Sequence, residues 1–235
     1  MAGGSSNASA GGRASQMNFD FAFAATTLPT ILGVIGTTIS VALLSCAGAS
    51  ILGFSFEIAR RAGSLPAYLM RFTIDFIRST PVLAWLYFLY FVLPHWGFTL
   101  PALVVGILGL SIYFSGYLAE VFKAGIDAIP KGQAEAAKAL GLNRIDVVSF
   151  VLAPQMLRNV AAPVGNHFVS ILKATPYLAA IAVPEMLGSA LDIASNTYRY
   201  AEPLTVVGIV FLVLALTIAQ GVRLLERKLH GPTNR

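Results

Sequence analysis

Long uninterrupted apolar runs dominate the chain. Three of these runs contain no Asp, Glu, Lys or Arg, and they lie between Asp20 and Glu57, between Arg78 and Glu120, and between Glu202 and Arg223. A fourth run covers residues 159–184 and carries a single charge, Lys173. A helix needs about 20 predominantly apolar residues to cross a bilayer core of about 30 Å, so all four runs are long enough to span a membrane.

The runs predict five membrane-spanning helices, near residues 28–56, 68–93, 100–124, 155–182 and 203–226. The second run holds parts of two helices because Pro94, Gly97 and Pro101 mark a tight hairpin. Backbone groups in lipid must be hydrogen-bonded within the protein, and the strand pattern of alternating residues is absent. We therefore expect an all-α integral membrane bundle over residues 19–229, between a disordered Gly/Ser/Ala-rich tail (1–18) and a short C-terminal tail (230–235).

Composition narrows the class of protein. Hydrophobic residues make up 56% of the 235 positions and charged residues only 11%, whereas soluble domains average about 25% charged residues. This excludes a soluble enzyme domain, and it excludes a nucleic-acid-binding domain despite the net charge of +5. The single cysteine, Cys46, excludes an internal disulfide, and His95 and His230 lack a second ligand at metal spacing, so we expect no metal site.

The basic residues orient the bundle. All but Arg13, Lys173 and Arg199 fall in connections or helix ends on one side of the predicted bundle. The positive-inside rule assigns that side to the cytoplasm. With five spans, the N-terminus then lies outside and the C-terminus in the cytoplasm, and we expect a multi-pass protein of the bacterial cytoplasmic (inner) membrane.

The connection over residues 124–153 is too long for a tight link between helices, and its composition predicts structure. Gln133–Leu140 contains strong helix formers, follows Pro130 and stops at Gly141, a typical helix end. A second helix start follows at Asn143. Two short helices joined at a glycine make a candidate docking element, and a solvated amphipathic linker is the alternative.

This connection carries a recognisable motif. Residues 135–141 read EAAKALG, and Pro154 follows at the end of Val151-Leu152-Ala153-Pro154. The segment resembles the EAA motif of ABC-importer permeases, in which E-A-A, three residues and G precede nine residues and I-x-L-P. Val151 and Ala153 depart from that pattern, but both positions remain apolar and the spacing is kept.

Three further segments resemble the polar-amino-acid uptake branch of these permeases (histidine, glutamate, glutamine, arginine and opine type). They are RSTP at 78–81, GYLAEVFKAGI at 116–126, and PQMLRN at 154–159 followed by ILKAT at 171–175. The family usually continues K-x-T-S, whereas this chain has Pro176. The resemblance runs from about Met17 to Lys228, and it implies the type I ABC-importer permease fold.

The resemblance also implies partners. The chain has no G-x-x-x-x-G-K-[ST] phosphate-binding motif, so it binds no cofactor itself, and ATP and Mg belong on a partner ATPase dimer. Family members work with a second permease subunit, the same chain or a sister chain, and with a periplasmic or extracellular solute-binding protein. By the resemblance, Glu135, Ala136, Ala137 and Gly141 form the coupling surface for the ATPase.

Polar residues within the predicted spans are candidates for the solute path. Arg78, Glu120, Lys173 and Thr175 are the gate or path candidates. Lys173 lies near the middle of a span, where a charge usually faces a cavity or an internal partner, and a packing ion pair is an equal alternative. Spacings of three residues favour structural ion pairs for Glu120 with Lys123 and for Asp75 with Arg78.

The substrate-contact candidates are Asn166, His167 and Ser170, which are equally compatible with interhelical hydrogen bonding. The aromatic run at 85–91 fits a cage for a cationic solute, although lipid-facing bulk explains it better. The polar segment 185–202 on the outer side fits either a contact with the binding protein or a solvated hairpin.

These features predict the permease subunit of an ATP-driven importer for polar amino acids or related solutes such as opines, and not an enzyme. A stand-alone secondary transporter or channel is the alternative, although no inverted repeat is visible. An integral membrane enzyme is disfavoured because G-x-S-x-G and H-E-x-x-H are both absent.

Overall fold

The computed structural model describes residues 19–230, and within that range the chain is helical with no strand. The α-helices are α1 (Phe21–Gly33), α2 (Ile35–Arg60), α3 (Ser64–Ser79), α4 (Val82–Tyr87), α5 (Ala102–Asp127), α6 (Lys131–Ala139), α7 (Arg144–Asp146), α8 (Ala153–Ala174), α9 (Met186–Thr197) and α10 (Ala201–His230). The tails predicted at 1–18 and over 231–235 lie outside the described residues.

Within residues 19–230, four helical stretches are long and apolar enough to cross a membrane: α2, α5, the run Arg144–Ile181 that contains α8, and α10. A fifth crossing is a bent pair, in which α3 meets the stretch Val82–Trp96 at 98°. That stretch consists of α4, a π-helical turn (Phe88–Val92) and a 3-10 turn (Leu93–Trp96). The all-α membrane bundle is confirmed, with five spans when the bent pair counts as one.

The prediction of one continuous helix over 68–93 is wrong. The helix stops at Ser79, and Thr80 is extended, with φ −95° and ψ 135°. Pro81 causes the break because it lacks an N–H and its ring disfavours the helical conformation of the preceding residue. Proline then begins the next helix, since Ala84 and Trp85 donate to the Pro81 carbonyl. The RSTP segment is therefore a corner and not part of a helix.

Two other predicted helices differ at their ends. The region near residue 28 belongs to a separate helix, α1, which Asp20 caps by accepting from the Phe23 N–H at 3.0 Å. The prediction of a single helix over 155–182 also needs correction, because α8 ends at Ala174 and Thr175–Ile181 is a 3-10 helix. Pro176 lies in the first turn of that segment. The hairpin between Pro94 and Pro101 is confirmed.

Helix α5 lies at the centre of the bundle and packs along α2, α3 and α8. The contact with α2 is close because Gly53 has no side chain: a Cβ there would lie 2.8 Å from the Ser115 carbonyl oxygen. Leu110 and Leu118 on α5 and Ile171 and Leu172 on α8 are fully buried in the main core. A second cluster joins α1, α9 and α10.

Candidate functional site

Helix α6 lies in the connection between α5 and α8, and its C-terminus is closed by backbone hydrogen bonds. Gly141 donates to the Lys138 carbonyl at 2.9 Å, and Leu142 donates to the Ala137 carbonyl at 3.2 Å. Gly141 has φ +82°. This pair of bonds and a left-handed residue make a Schellman motif, for which glycine is favoured because it has no Cβ. The helix end predicted at Gly141 is confirmed.

The next helix starts with a side-chain cap, as predicted at Asn143. The Asn143 Oδ1 accepts from the N–H groups of Ile145 and Asp146, at 2.9 and 3.0 Å. The Asn143 amide also donates to the Asp146 carboxylate at 2.6 Å. After α7 a π-helical segment, Val147–Leu152, packs against α6 and leads directly into α8. Helix α6 is therefore joined to α5 on one side and to α8 on the other.

The predicted coupling residues do not all face the same way. Glu135, Ala136 and Gly141 are exposed, whereas Ala137 is buried with 4% exposure and packs inward. Sequence reasoning missed three exposed apolar residues beside them: Leu140, Ile145 and Phe150, each at least 75% exposed. Their signal was available, because large apolar side chains in a charged, non-spanning connection need a partner surface to cover them.

A cavity of about 600 Å³ opens beside the end of α5 that leads to α6, and we call it the proximal cavity. Helices α3, α5 and α8 supply its lining: Arg78, Tyr117, Glu120, Val121, Ala124, Gly125, Ala128, Asn159, Pro163 and His167. Two of the predicted path residues, Arg78 and Glu120, meet here, together with the candidate contact residue His167. The Asn159 amide donates to the Gly125 carbonyl at 3.1 Å and so ties α8 to α5.

The expected pairing of Glu120 with Lys123 is wrong. Glu120 instead accepts from the Arg60 Nη1 on α2 at 2.7 Å. Arg60 also pairs with Glu57, and Arg61 joins Glu57 to Asp127 at 2.5 and 2.6 Å. The close α2–α5 packing brings these helix ends together, and the 1% exposed Glu57 needs the two arginines to compensate its burial.

The expected pairing of Arg78 with Asp75 is also wrong: across residues 19–230, neither side chain takes part in a salt bridge within 4.0 Å. Arg78 instead places its guanidinium 5.3 Å from the centre of the Tyr117 ring. Its charge therefore faces the proximal cavity with Tyr117 as an aromatic neighbour and with no acidic partner in the part of the chain that the structure describes.

A second cavity, of about 360 Å³, lies farther along α5 and α8, and we call it the distal cavity. Its lining comprises Val82, Tyr113, Phe114, Tyr117, His167, Ser170, Lys173, Ala174 and Tyr177. Lys173 is exposed and has no salt bridge among the described residues, which disfavours the packing ion pair. Lys173 is the charged residue of this lining.

The remaining candidates lie elsewhere. Thr175 is fully buried, and its hydroxyl donates to the Leu172 carbonyl at 2.8 Å, so it closes the end of α8. Asn166 is exposed and lines neither of the two cavities. Over the described range, no group of three His, Cys, Asp or Glu side chains has the arrangement of a metal site.

On the opposite side of the bundle from α6, three acidic groups, Glu185, Glu202 and Asp20, fix the polar segment 185–202. Glu185 is fully buried and caps α9, with Oε1 accepting from the Gly188 N–H at 2.5 Å and Oε2 unpartnered. Burial raises the pKa of this carboxyl above 4.5. Arg199 bridges Glu202 and Asp20 at 2.5 and 3.4 Å, which ties α10 to the start of α1.

Comparison with known proteins decides the family. Residues 49–231 match the family model described as the binding-protein-dependent transport system inner membrane component. The chain belongs to this family. It is a permease subunit of an ABC importer and not an enzyme, and it is a membrane component.

Sequence similarity between this permease and its curated relatives extends over nearly the full lengths of those relatives. A probable amino-acid ABC transporter permease protein (y4tG) from Sinorhizobium fredii is 38% identical, over 89% of this chain and 91% of the relative. The arginine transport system permease protein ArtQ of Bacillus subtilis is 30% identical, over 92% and 99%. The octopine transport system permease protein OccM of Rhizobium radiobacter is 30% identical, over 89% and 90%.

Solved structures agree with the permease fold. A chain of the crystal structure of an amino acid ABC transporter with histidines superposes with a TM-score of 0.82 at 30% identity, covering 90% of this chain and 100% of that one. A chain of the MetNI methionine ABC transporter in an inward-facing form has a TM-score of 0.69 at 18% identity, over 85% and 95%, and supports the fold alone.

Proposed function

We propose that this permease carries amino acids or amino-acid-derived solutes of the opine type across the bacterial inner membrane. The transport is driven by ATP hydrolysis on a separate ATPase dimer, which holds ATP and Mg. A second permease subunit and a solute-binding protein outside the membrane complete the importer, and lipid surrounds it. The names of the relatives, which include arginine, glutamine and octopine systems, support this solute class.

One observation carries the proposal: α6 is inserted between α5 and α8, the two helices that line both cavities. We assign α6 as the element that docks on the ATPase, through exposed Glu135, Ala136 and Gly141 and the neighbouring apolar residues Leu140 and Phe150. Movement of α6 with the ATPase then changes the spacing of α5 and α8, which opens the path on alternate sides of the membrane. ATP and the loaded binding protein must favour different states for this exchange to be driven.

The charges lining the path suit solutes that carry a carboxylate. Arg78 in the proximal cavity and Lys173 in the distal cavity lack acidic partners among the described residues, whereas Glu120 is already paired with Arg60. Cationic groups within a membrane are costly and usually line a path or site. We therefore assign Arg78 and Lys173 as path residues and Ser170 as a hydrogen-bonding neighbour of the solute.

Uptake into proteoliposomes tests the proposal. The permease, purified with its ATPase, is supplied with its binding protein and with radiolabelled arginine, glutamine or octopine. We expect ATP-dependent accumulation of at least one solute, and loss of accumulation when the ATPase cannot hydrolyse ATP. Equal accumulation without the ATPase would contradict the proposal and favour the secondary transporter. Accumulation of none of the three would exclude this solute class.

The orientation is part of the same proposal: the N-terminus outside and the C-terminus in the cytoplasm, as the basic residues favour. With Cys46 replaced by Ser, a cysteine introduced at the exposed residue Ser149, before α8, is expected to react with an impermeant thiol reagent only from the cytoplasmic side. A cysteine at exposed Ser195 on α9 is expected to react only from outside. The reverse labelling pattern would invert the orientation.

A further inference from the structure

Two side chains belong to both cavities. Tyr117 from α5 and His167 from α8 line the proximal and the distal cavity alike. Their ring centroids lie 6.1 Å apart. The other lining residues differ between the two cavities, so this ring pair is where the cavities meet. A solute that moves along α5 and α8 from one cavity to the other passes these two rings.

Neighbouring groups hold the two rings in place. The Tyr117 hydroxyl lies 3.2 Å from the Tyr113 hydroxyl, and the Arg78 guanidinium lies 5.3 Å from the Tyr117 ring centre. The Phe114 ring packs edge-on against His167 with centroids 6.4 Å apart. Aromatic pairs prefer defined edge-on or offset geometries, so these contacts fix the orientation of the Tyr117 and His167 rings.

His167 also carries an unused polar atom. Its Nδ1 is buried and has no hydrogen-bond partner in the described structure. A buried polar atom without a hydrogen-bond partner costs free energy, and most buried polar atoms in folded proteins are hydrogen-bonded. His167 lines both cavities while its Nδ1 is enclosed, so a polar group of the solute reaches this nitrogen only when the two rings separate during passage.

The charges on either side strengthen this interpretation. Lys173 lines the distal cavity and Arg78 the proximal cavity, and neither forms a salt bridge within residues 19–230. A carboxylate is therefore attracted into each cavity by a cation. Between these two cations the path is bounded by the rings of Tyr117 and His167, and the His167 Nδ1 is enclosed at this point.

We propose that Tyr117 and His167 form the constriction of the solute path, and that His167 Nδ1 is the polar contact that a solute uses while it passes. This inference rests on the proposed function, since it presumes that the two cavities are parts of one path. Here His167 has two separable roles: its ring closes the path, and its nitrogen assists passage.

The test uses the complete importer in proteoliposomes, with whichever of arginine, glutamine and octopine the wild-type complex accumulates. Two rates are measured: efflux of preloaded solute without ATP, and ATP-dependent uptake. His167→Ala removes the ring, His167→Phe keeps a ring but removes the nitrogen, and Leu212→Ala truncates an exposed side chain on α10 as a control. Stimulation of ATP hydrolysis by the binding protein reports that each variant is folded and assembled.

We expect His167→Ala to raise ATP-independent efflux about two- to tenfold, the range that the loss of an aromatic contact supports. His167→Phe is expected to keep efflux at the wild-type rate and to lower the rate of uptake. An efflux rate for His167→Ala equal to that of Leu212→Ala would overturn the constriction. Unchanged uptake by His167→Phe would overturn the role of the nitrogen.

Failure of this inference is distinguishable from failure of the proposed function. If the wild-type complex accumulates no solute, the proposed function fails before any variant is compared. If the wild type accumulates solute and His167→Ala does not raise ATP-independent efflux, the proposed function is retained and the assignment of Tyr117 and His167 as the constriction is wrong.

Discussion

Helix α5 has two unlike sides. Its side against α2 is tightly packed, because Gly53 lets the two backbones approach. The arginines at the end of α2 form salt bridges with Glu57, Glu120 and Asp127. Against α8 it leaves two cavities, lined by aromatic rings and by cations that lack acidic partners among the described residues. The difference shows that the α2 side holds α5 in place, and it supports the proposal that the solute path lies on the α8 side.

The arginine pairs give the largest expected effect on stability. Replacing Arg60 with Ala leaves Glu57, 1% exposed, with one arginine fewer and removes the partner of Glu120. We expect the free energy of unfolding to fall by about 3 kcal/mol, because a buried carboxylate loses its compensation. Denaturation of the purified protein in detergent measures this. Arg71→Ala, at an exposed position of α3, is the control, and an equal loss in both variants would contradict the account.

The close approach of α2 and α5 gives the next effect. In Gly53→Ala the added methyl group meets the backbone of α5, with the Ser115 oxygen at 2.8 Å and the Ala119 nitrogen at 2.9 Å. We expect a loss of about 1–3 kcal/mol from overpacking. Gly36→Ala on the same helix meets nothing within 4 Å and is expected to gain about 0.5–1 kcal/mol from helix propensity. Thermal unfolding of the two variants compares them, and equal shifts would show that the contact is not tight.

Substitutions on the α8 side should lower transport while they leave stability nearly unchanged. Lys173→Gln removes an exposed cation without a salt bridge in the described chain, so stability is expected to change by less than about 0.5 kcal/mol. Uptake is expected to fall, because the carboxylate loses its attraction into the distal cavity. Thermal unfolding and proteoliposome uptake separate these two effects. Unchanged uptake would remove Lys173 from the path, and a large loss of stability would make it a packing residue.

The smallest effect concerns the buried carboxyl of Glu185 outside the spans. Because its pKa is raised above 4.5 in the folded state, the folded protein keeps the proton while the unfolded chain loses it, so wild-type stability falls as pH rises from 4.5 to the raised folded pKa. Glu185→Gln lacks the titrating carboxyl group, so its stability lacks this pH dependence. The melting temperature of the variant should therefore rise relative to that of the wild type as pH rises above 4.5. Ser195→Ala, at an exposed position of α9 without a titratable group, should show no such trend.

The sequence was informative where short-range chemistry decides the structure. The helix end at Gly141 and the start at Asn143 follow from residues within one turn, so composition predicted both. The spans follow from the apolar runs. Pro81 was visible, but a run of apolar residues on both sides of it outweighed the proline, and the corner after Ser79 was missed.

Long-range partners were not predictable in the same way. Spacing favoured Lys123 for Glu120, yet the partner is Arg60, 60 positions away, because α2 and α5 pack closely at their ends. The two cavities likewise depend on how α3, α5 and α8 pack together. The substrate-contact candidates His167 and Ser170 line the distal cavity, whereas the third of that group, Asn166, does not. The gate candidate Thr175 is buried, and its hydroxyl donates to the Leu172 carbonyl.

The central claim is that α6 transmits ATP hydrolysis to the helices that line the path, and Gly141 offers the most direct test. Gly141→Ala, just after the end of α6, forces a side chain into a left-handed conformation at a cost of about 1–2 kcal/mol, whereas the methyl group of Gly132→Ala, within α6, meets nothing within 4 Å. The measurement is solute transported per ATP hydrolysed, in proteoliposomes with the complete importer. We predict a lower ratio for Gly141→Ala and a wild-type ratio for Gly132→Ala; wild-type ratios for both would contradict the account.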